Sequence, residues 1–291
     1  MLRPVLILVT LSCVLPAPTA PAGEPPDARA PATQVSEARK QPDGVLVHTV
    51  RSPFQAGQTR IRVLLPERLE PSKRCAVLYV LPVEAGEGAR YGDGLAEIAK
   101  HGLHNKHRLV CVAPTFSHLP WYADHPTDPH IRQERYLLEV VLPHVERTYP
   151  VRADRDGRLL LGFSKSGWGA FSLLLRHPGT FGRAAAWDAP LMEDRPARFG
   201  MGPIFGTQES FEGYRITGLL KGRAAVLRAG PPRLVLTGYG HFRDQHVGAH
   251  RLMTALEIPH AWRDGPRRKH DWHSGWVAEA VELLTSTRTA P

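Results

Sequence analysis

The chain has 291 residues, 42% of them hydrophobic, which is enough for one large α/β domain or two small ones, and one is expected. Its formal net charge of +9 is scattered along the chain; Arg267, Arg268 and Lys269 form the one tight basic cluster, and no nucleic-acid motif accompanies it. That excludes nucleic acid as an expected partner and leaves a solvated basic face, with attraction to anionic envelope polymers as the weaker reading.

The first 22 residues show a basic Arg3, an apolar run from Val5 to Leu15 and small residues around Ala20 to Ala22. This is the pattern of a cleaved signal peptide, too short to span a bilayer, so a periplasmic or extracellular protein is expected. Cys13 faintly matches a lipoprotein site, but Thr10 fits such a site poorly. Residues 23–43 are rich in Ala, Pro and charge without apolar periodicity and read as a disordered linker, so the folded domain is expected over 44–291. Cys75 and Cys111 lie in apolar runs and read as inert core thiols rather than a disulfide.

Within the folded part, VLVHTV and TRIRVLLP read as an antiparallel pair of edge strands, and the continuous apolar run CAVLYVLP from Cys75 reads as a parallel strand buried on both faces. A helix over about Gly92 to His101, a strand over Arg108 to Ala113, a long helix from Ile131 to Tyr149 interrupted by Pro143, and a strand from Arg183 to Trp187 follow. The stretch from Pro190 to about Gly230 reads as a short cap insertion with one helix near Leu219 to Leu227. RLVLTGYG, His246 to Leu256, HAWRD and Trp276 to Leu284 complete a strand, helix, strand, helix order. Alternating strands and helices imply a mostly parallel sheet with helices on both faces.

The stretch RLLLGFSKSGWGAFSLLLRHP, from Arg158 to Pro178, carries the chemistry. An apolar strand runs directly into Ser164, and a Ser/Gly-rich turn opens a helix. Strand, sharp turn and helix form a nucleophile elbow, which needs small residues two before and two after the serine. Gly162 and Ser166 hold those places, Ser166 standing where the G-x-S-x-G pattern has glycine. Reading Ser166 as the nucleophile would put bulky Trp168 two residues after it. The backbone N–H of Lys165 is the expected oxyanion donor. The plainer alternative is an ordinary βα turn with a capping serine.

An elbow serine needs a base and an acid in the chain order Ser, Asp/Glu, His. Asp244, after the strand ending at Gly238, is the expected acid, and Asp188 is the runner-up and otherwise a substrate contact. His270 is the expected base over His273, because it lies in the loop before the closing helix while His273 sits at the helix start. Trp121, Tyr122 and Asp124, in the aromatic WYADHP loop at the carboxyl end of a buried strand, are candidate substrate contacts.

The strand CAVLYVLP, the WYADHP loop, the GFSKSGWGA elbow and the HDWHSGW segment together span about residues 60–285 and resemble the esterase D branch of the α/β-hydrolases. That branch also holds S-formylglutathione hydrolases, feruloyl and acetyl-xylan esterases and mycolyltransferases. The resemblance implies the α/β-hydrolase fold and hydrolysis of a small-molecule or glycan-linked acyl ester through a serine acyl-enzyme, with no cofactor and no metal. It places the catalytic histidine at His270, in the His-x-Trp element His270-Asp271-Trp272. It also implies a second oxyanion donor after the first buried parallel strand, here Val83 or Glu84, where Pro82-Val83 replaces the family's His-Gly. Two other readings stay open. The many histidines suggest a metal-binding envelope protein, although His246 and His250 alone share a helix at i, i+4 spacing without an HExxH or cysteine pattern. The departures at positions 82, 83 and 166 suggest a catalytically impaired hydrolase-fold binding protein.

Overall fold

The computed structural model describes residues 32–70 and 72–286. The expected signal peptide, Cys13 and residues 23–31 of the expected linker lie outside the described residues. The linker's end is folded: β1 (Gln34–Val35) and β2 (Arg39–Lys40) both pair antiparallel with β3 (Leu46–Arg51), so ordered structure begins before Gly44. The Ser36 hydroxyl and carbonyl tie this segment to Thr49 and His48, which supplies polar anchoring that apolar periodicity does not register.

The remaining strands are β4 (Gln58–Leu64), β5 (Ala76–Val80), β6 (Leu109–Pro114), β7 (Arg158–Phe163), β8 (Arg183–Trp187), β9 (Leu234–Tyr239) and β10 (His260–Arg267). They form one sheet in the order β1-β3-β4-β6-β5-β7-β8-β9-β10. From β6 to β10 every pairing is parallel, whereas β3 and β4 form the expected antiparallel pair and join β6 antiparallel. Central strands such as β6 are buried at every residue, as their unbroken apolar runs require, and β4 alternates because part of it faces water.

Helices α1 (Gly94–Lys100), α2 (Leu103–Lys106) and α10 (Val277–Thr285) cover one face. On the other lie α3 (Gln133–Arg135), α4 (Leu142–Thr148), α5 (Ser164–Arg176), α8 (Ile216–Arg228) and α9 (Arg243–Ala255). Between α3 and α4 the chain forms a π-helical turn, Tyr136–Val141. Pro143 explains it, because proline has no N–H for the α-helical ladder and its ring crowds the carbonyl four residues back. In α5 every residue except Lys165 and Arg176 is buried, since the helix lies between the sheet and α8; each of its leucines contributes roughly 1.5–3 kcal/mol by leaving water. The expected cap insertion divides here. Helices α6 (Gly202–Phe205) and α7 (Gln208–Glu212) are short, whereas α8 buries Ile216, Leu220, Ala224 and Leu227 and belongs to the helical layer.

The connection from β5 to β6 runs to one side of the sheet and that from β7 to β8 to the other. Such a switch point leaves a crevice at the carboxyl ends of the strands, which is where open α/β sheets hold ligands. Ser164 follows β7, Val83 follows β5 and Asp188 follows β8 at this end. Cys75 and Cys111 are buried free thiols. No helix among the described residues is long and apolar enough to cross a membrane.

Candidate active site

The turn between β7 and α5 forces Ser164 to a φ of 51°, a conformation that non-glycine residues adopt at a cost of about 1–3 kcal/mol. Close packing explains its neighbours. A Cβ on Gly162 would lie 2.3 Å from the Ser166 carbonyl oxygen, so no other residue fits there. Position 166 tolerates a side chain because the Ser166 hydroxyl turns back onto the strand, accepting from the Phe163 N–H (3.0 Å) and donating to the Phe163 carbonyl (2.9 Å). The departure from G-x-S-x-G is thus a polar brace, fully buried, across the elbow. Lys165, second in α5, has a first-turn N–H with no intrahelical acceptor, at the helix end where negative charge is favoured. Ser164 itself is 8% exposed and opens into a cavity of about 740 Å³ that His270 also lines.

The carboxylate that reaches the histidine belongs to Asp188. Its Oδ2 lies 2.5 Å from His270 Nδ1, while the N–H groups of His241 and Phe242 donate to the same carboxylate at 2.7–2.9 Å. Asp188 is completely buried, at a φ of 42° just past the end of β8. Burial favours its neutral form, but hydrogen bonds from His270 and from the amides of Phe242, Gly240 and His241 outweigh it and hold the carboxyl below the usual range. A carboxylate on Nδ1 directs Nε2 toward accepting a proton. The expected acid, Asp244, is corrected by this geometry: it stands exposed in the first turn of α9 and makes no contact with His270.

His273 is held elsewhere. Its Nδ1 lies 2.8 Å from Glu97 Oε2, and its Nε2 accepts from the Asp93 N–H at 3.3 Å, so it ties the last loop to α1. His246 is buried and accepts the Ala189 N–H on Nε2 at 2.7 Å, directly after Asp188; burial pushes it down to about 4, which keeps it neutral and accepting. His250 pairs with His260 at 2.8 Å, so the i, i+4 histidines serve different contacts. Among the described residues no three His, Cys, Asp or Glu side chains stand together as a metal site.

The aromatic loop plays a different part from the one its composition suggests. Trp121 is fully buried against Trp168 and Phe205, and Tyr122 is fully buried, with its ring against Gly169. The amides of both donate to Gln133 Oε1, at 2.9 and 2.8 Å, which clamps the loop. Asp124 accepts the Glu134 and Arg135 amides and so caps the helix that follows. None of the three lines the cavity that holds Ser164, which corrects their expected place as substrate contacts. Tyr122 still bears on the site at one remove, because its hydroxyl donates to the Pro82 carbonyl at 2.7 Å. In a trans peptide the Val83 N–H points opposite to that carbonyl, so Tyr122 sets the direction of the expected second oxyanion donor. Val83 itself is buried and lines a separate crevice.

Residues that pattern reading did not single out complete the walls. Tyr91 and Phe163 pack edge-on against His270 with ring centroids 5.6 and 5.1 Å away, and Phe242 packs at 5.9 Å. Phe199, half-exposed at the rim, packs on Phe242. Phe163 ends β7, whereas Tyr91, Phe199 and Phe242 sit in loops without periodicity, and Tyr91 lies eleven residues after the end of β5.

Comparison with known proteins shows the family and the fold. The profile of the family described as "Putative esterase" matches residues 55–215, more than half of the chain. Esterase Rv1288 of Mycobacterium tuberculosis strain H37Rv is 28% identical over 85 residues, which is 28% of this chain and 18% of that relative; the match therefore spans about a fifth of the curated protein. Among solved structures, a fluorophosphonate-binding serine hydrolase of Staphylococcus aureus is 20% identical with a TM-score of 0.68, covering 83% of this chain and 98% of that one. An S-formylglutathione hydrolase from Agrobacterium tumefaciens is 15% identical with a TM-score of 0.66, covering 88% and 99%. A ferulic acid esterase is 21% identical with a TM-score of 0.65, covering 83% and 96%. These likenesses establish the α/β-hydrolase fold.

Proposed function

Since the chain belongs to the esterase family whose profile it matches, an α/β-hydrolase family, we propose that it is a carboxylesterase working through an acyl-enzyme on Ser164. The observation that carries this reading is the joint placement of a strained elbow serine and His270 on one cavity, with the buried Asp188 carboxylate held against the histidine from behind. Ser164 Oγ attacks the ester carbonyl carbon while His270 Nε2 takes its proton. The resulting imidazolium is stabilised by Asp188, whose carboxylate stays ionised through its amide donors. The oxyanion accepts from the Lys165 N–H and, in this reading, from Val83. Collapse breaks the carbon–oxygen bond to the alcohol, which leaves with the proton from His270. Water then attacks the acyl carbon, with its proton passing to His270, and the acid departs as Ser164 is restored.

Export is part of the same reading. The apolar run and small residues of positions 1–22 support cleavage of a signal peptide and a periplasmic or extracellular site of action.

Labelling with a fluorophosphonate tests the enzyme. The expected result is covalent modification of Ser164, lost in Ser164→Ala and kept in Ser166→Ala. Labelling that follows Ser166 instead overturns the elbow, and no labelling at all leaves a binding protein on a hydrolase fold.

A further inference from the structure

The cavity over Ser164 has walls of opposite character. Pro190, Phe199 and Phe242 make an apolar side. The cations Arg90, Lys165 and Lys269 also line it, with Asp271 as the acid on its wall. The Asp271 carboxylate is taken up by Lys269, at 3.2 Å. Arg90 and Lys165 have no carboxylate within salt-bridge distance among the described residues.

Elsewhere in the molecule several basic side chains are neutralised by a neighbouring carboxylate. Arg62 pairs with Asp93, Arg158 with Glu146, Arg176 with Glu134 and Arg243 with Asp264. Arg90 and Lys165 instead converge on the ring of Tyr91, whose centroid is 5.3 Å from the guanidinium carbon and 6.0 Å from the ammonium nitrogen. The same ring packs against His270, so the two charges stand beside the reacting groups. Lys165 is only partly exposed. Burial pushes its ammonium below the usual lysine range, Glu84 acts against that shift and Arg90 adds to it. The Glu84 carboxylate is occupied in accepting the Tyr91 N–H at 3.3 Å. Two neighbouring cations, one partly desolvated, are an unfavourable arrangement that a bound anion relieves.

We propose that this esterase acts on esters carrying an anionic group, a carboxylate in the first instance, which Arg90 and Lys165 bind beside the scissile bond. The inference rests on the esterase reading above and adds the substrate class to it. The anion holds the ester while the apolar wall takes its hydrocarbon part, so the charged group contributes to capture as well as to orientation.

Matched esters separate the two places the anion could occupy. For the acyl side, 4-nitrophenyl hemisuccinate is compared with 4-nitrophenyl butyrate; for the alcohol side, 4-acetoxybenzoate is compared with phenyl acetate. The expected kcat/KM ratio, anionic over neutral, is about tenfold or more in one pair at low salt and falls toward unity in about 0.5 M NaCl as screening sets in. Arg90→Gln and Lys165→Gln should each lower that ratio severalfold, and the double variant should abolish the preference. A ratio near one in both pairs, or a ratio unchanged in the double variant, overturns this inference while leaving the esterase intact. No turnover of any of the four esters, together with an unlabelled Ser164, overturns the esterase reading and this inference with it.

Discussion

At the scale of single residues, the acid is the sharpest case. Asp188 and Asp244 both satisfy the chain order that a serine, acid and histidine require, and both follow strands that end near the elbow. What separates them is where the backbone turns: the positive φ at Asp188 brings its carboxylate under the amides of the β9–α9 loop and against His270, whereas Asp244 is one helical turn further and faces water. No local sequence pattern encodes that tertiary closure. Asp188→Asn is expected to lower kcat by roughly three to four orders of magnitude with the fold retained, since the amide cannot stabilise the imidazolium and favours the wrong tautomer. Asp244→Asn should stay within about twofold of the parent. Steady-state ester hydrolysis by the two variants decides between them, and the opposite ranking would return Asp244 to the triad. Between the two histidines of the last loop, position before the closing helix favours His270, and the structure pairs His270 with Asp188 and His273 with Glu97.

At the scale of elements, apolar runs located β5, β6, β7 and α5 to within a few residues, because burial on both faces leaves a strand no freedom in composition. Loops were less legible for the opposite reason. The segment from Leu119 to Asp124 is aromatic and polar, which suits a binding loop, yet its order comes from Gln133, a distant buried amide that satisfies two backbone N–H groups and donates to the Leu119 carbonyl at 2.9 Å. Its service to the site passes through the Tyr122 hydroxyl and the Pro82 carbonyl. Tyr122→Phe removes that hydrogen bond while keeping the ring against Gly169, so the fold should persist. Freed rotation of the Pro82-Val83 peptide is expected to lower kcat about tenfold or more with KM little changed, the signature of an oxyanion donor felt chiefly in the transition state. An unchanged kcat, or an effect confined to KM, would remove Val83 from the oxyanion hole.

At the scale of the whole molecule, buried histidines set how stability responds to acid. His246 is enclosed beneath the Asp188 turn, and His144 packs edge-on against His48 at 4.4 Å in the layer of α4. Burial pushes both down to about 4, with His48 and Arg147 adding to the shift at His144. Their unfolded forms bind protons near pH 6.5, so between pH 6.5 and about 4 the unfolded chain holds more protons than the native one, and stability rises with pH across that window. It is fully present above pH 6.5 and is lost as the pH falls toward 4. The depressed carboxylates act lower. Glu134, desolvated but hydrogen-bonded by His177 and Arg176, is held at about 2, so its contribution is complete above the ordinary carboxylate range and fades only below it. A fall in stability between pH 7 and pH 5 therefore belongs to the histidines, and the linkage at His246 alone is roughly 3 kcal/mol at full extent. His246→Gln keeps an acceptor for the Ala189 N–H but removes the titrating group. Urea midpoints at pH 7 and pH 5 should differ clearly in the parent and markedly less in this variant, and equal differences in the two would show that the charging of His246 does not drive the acid response.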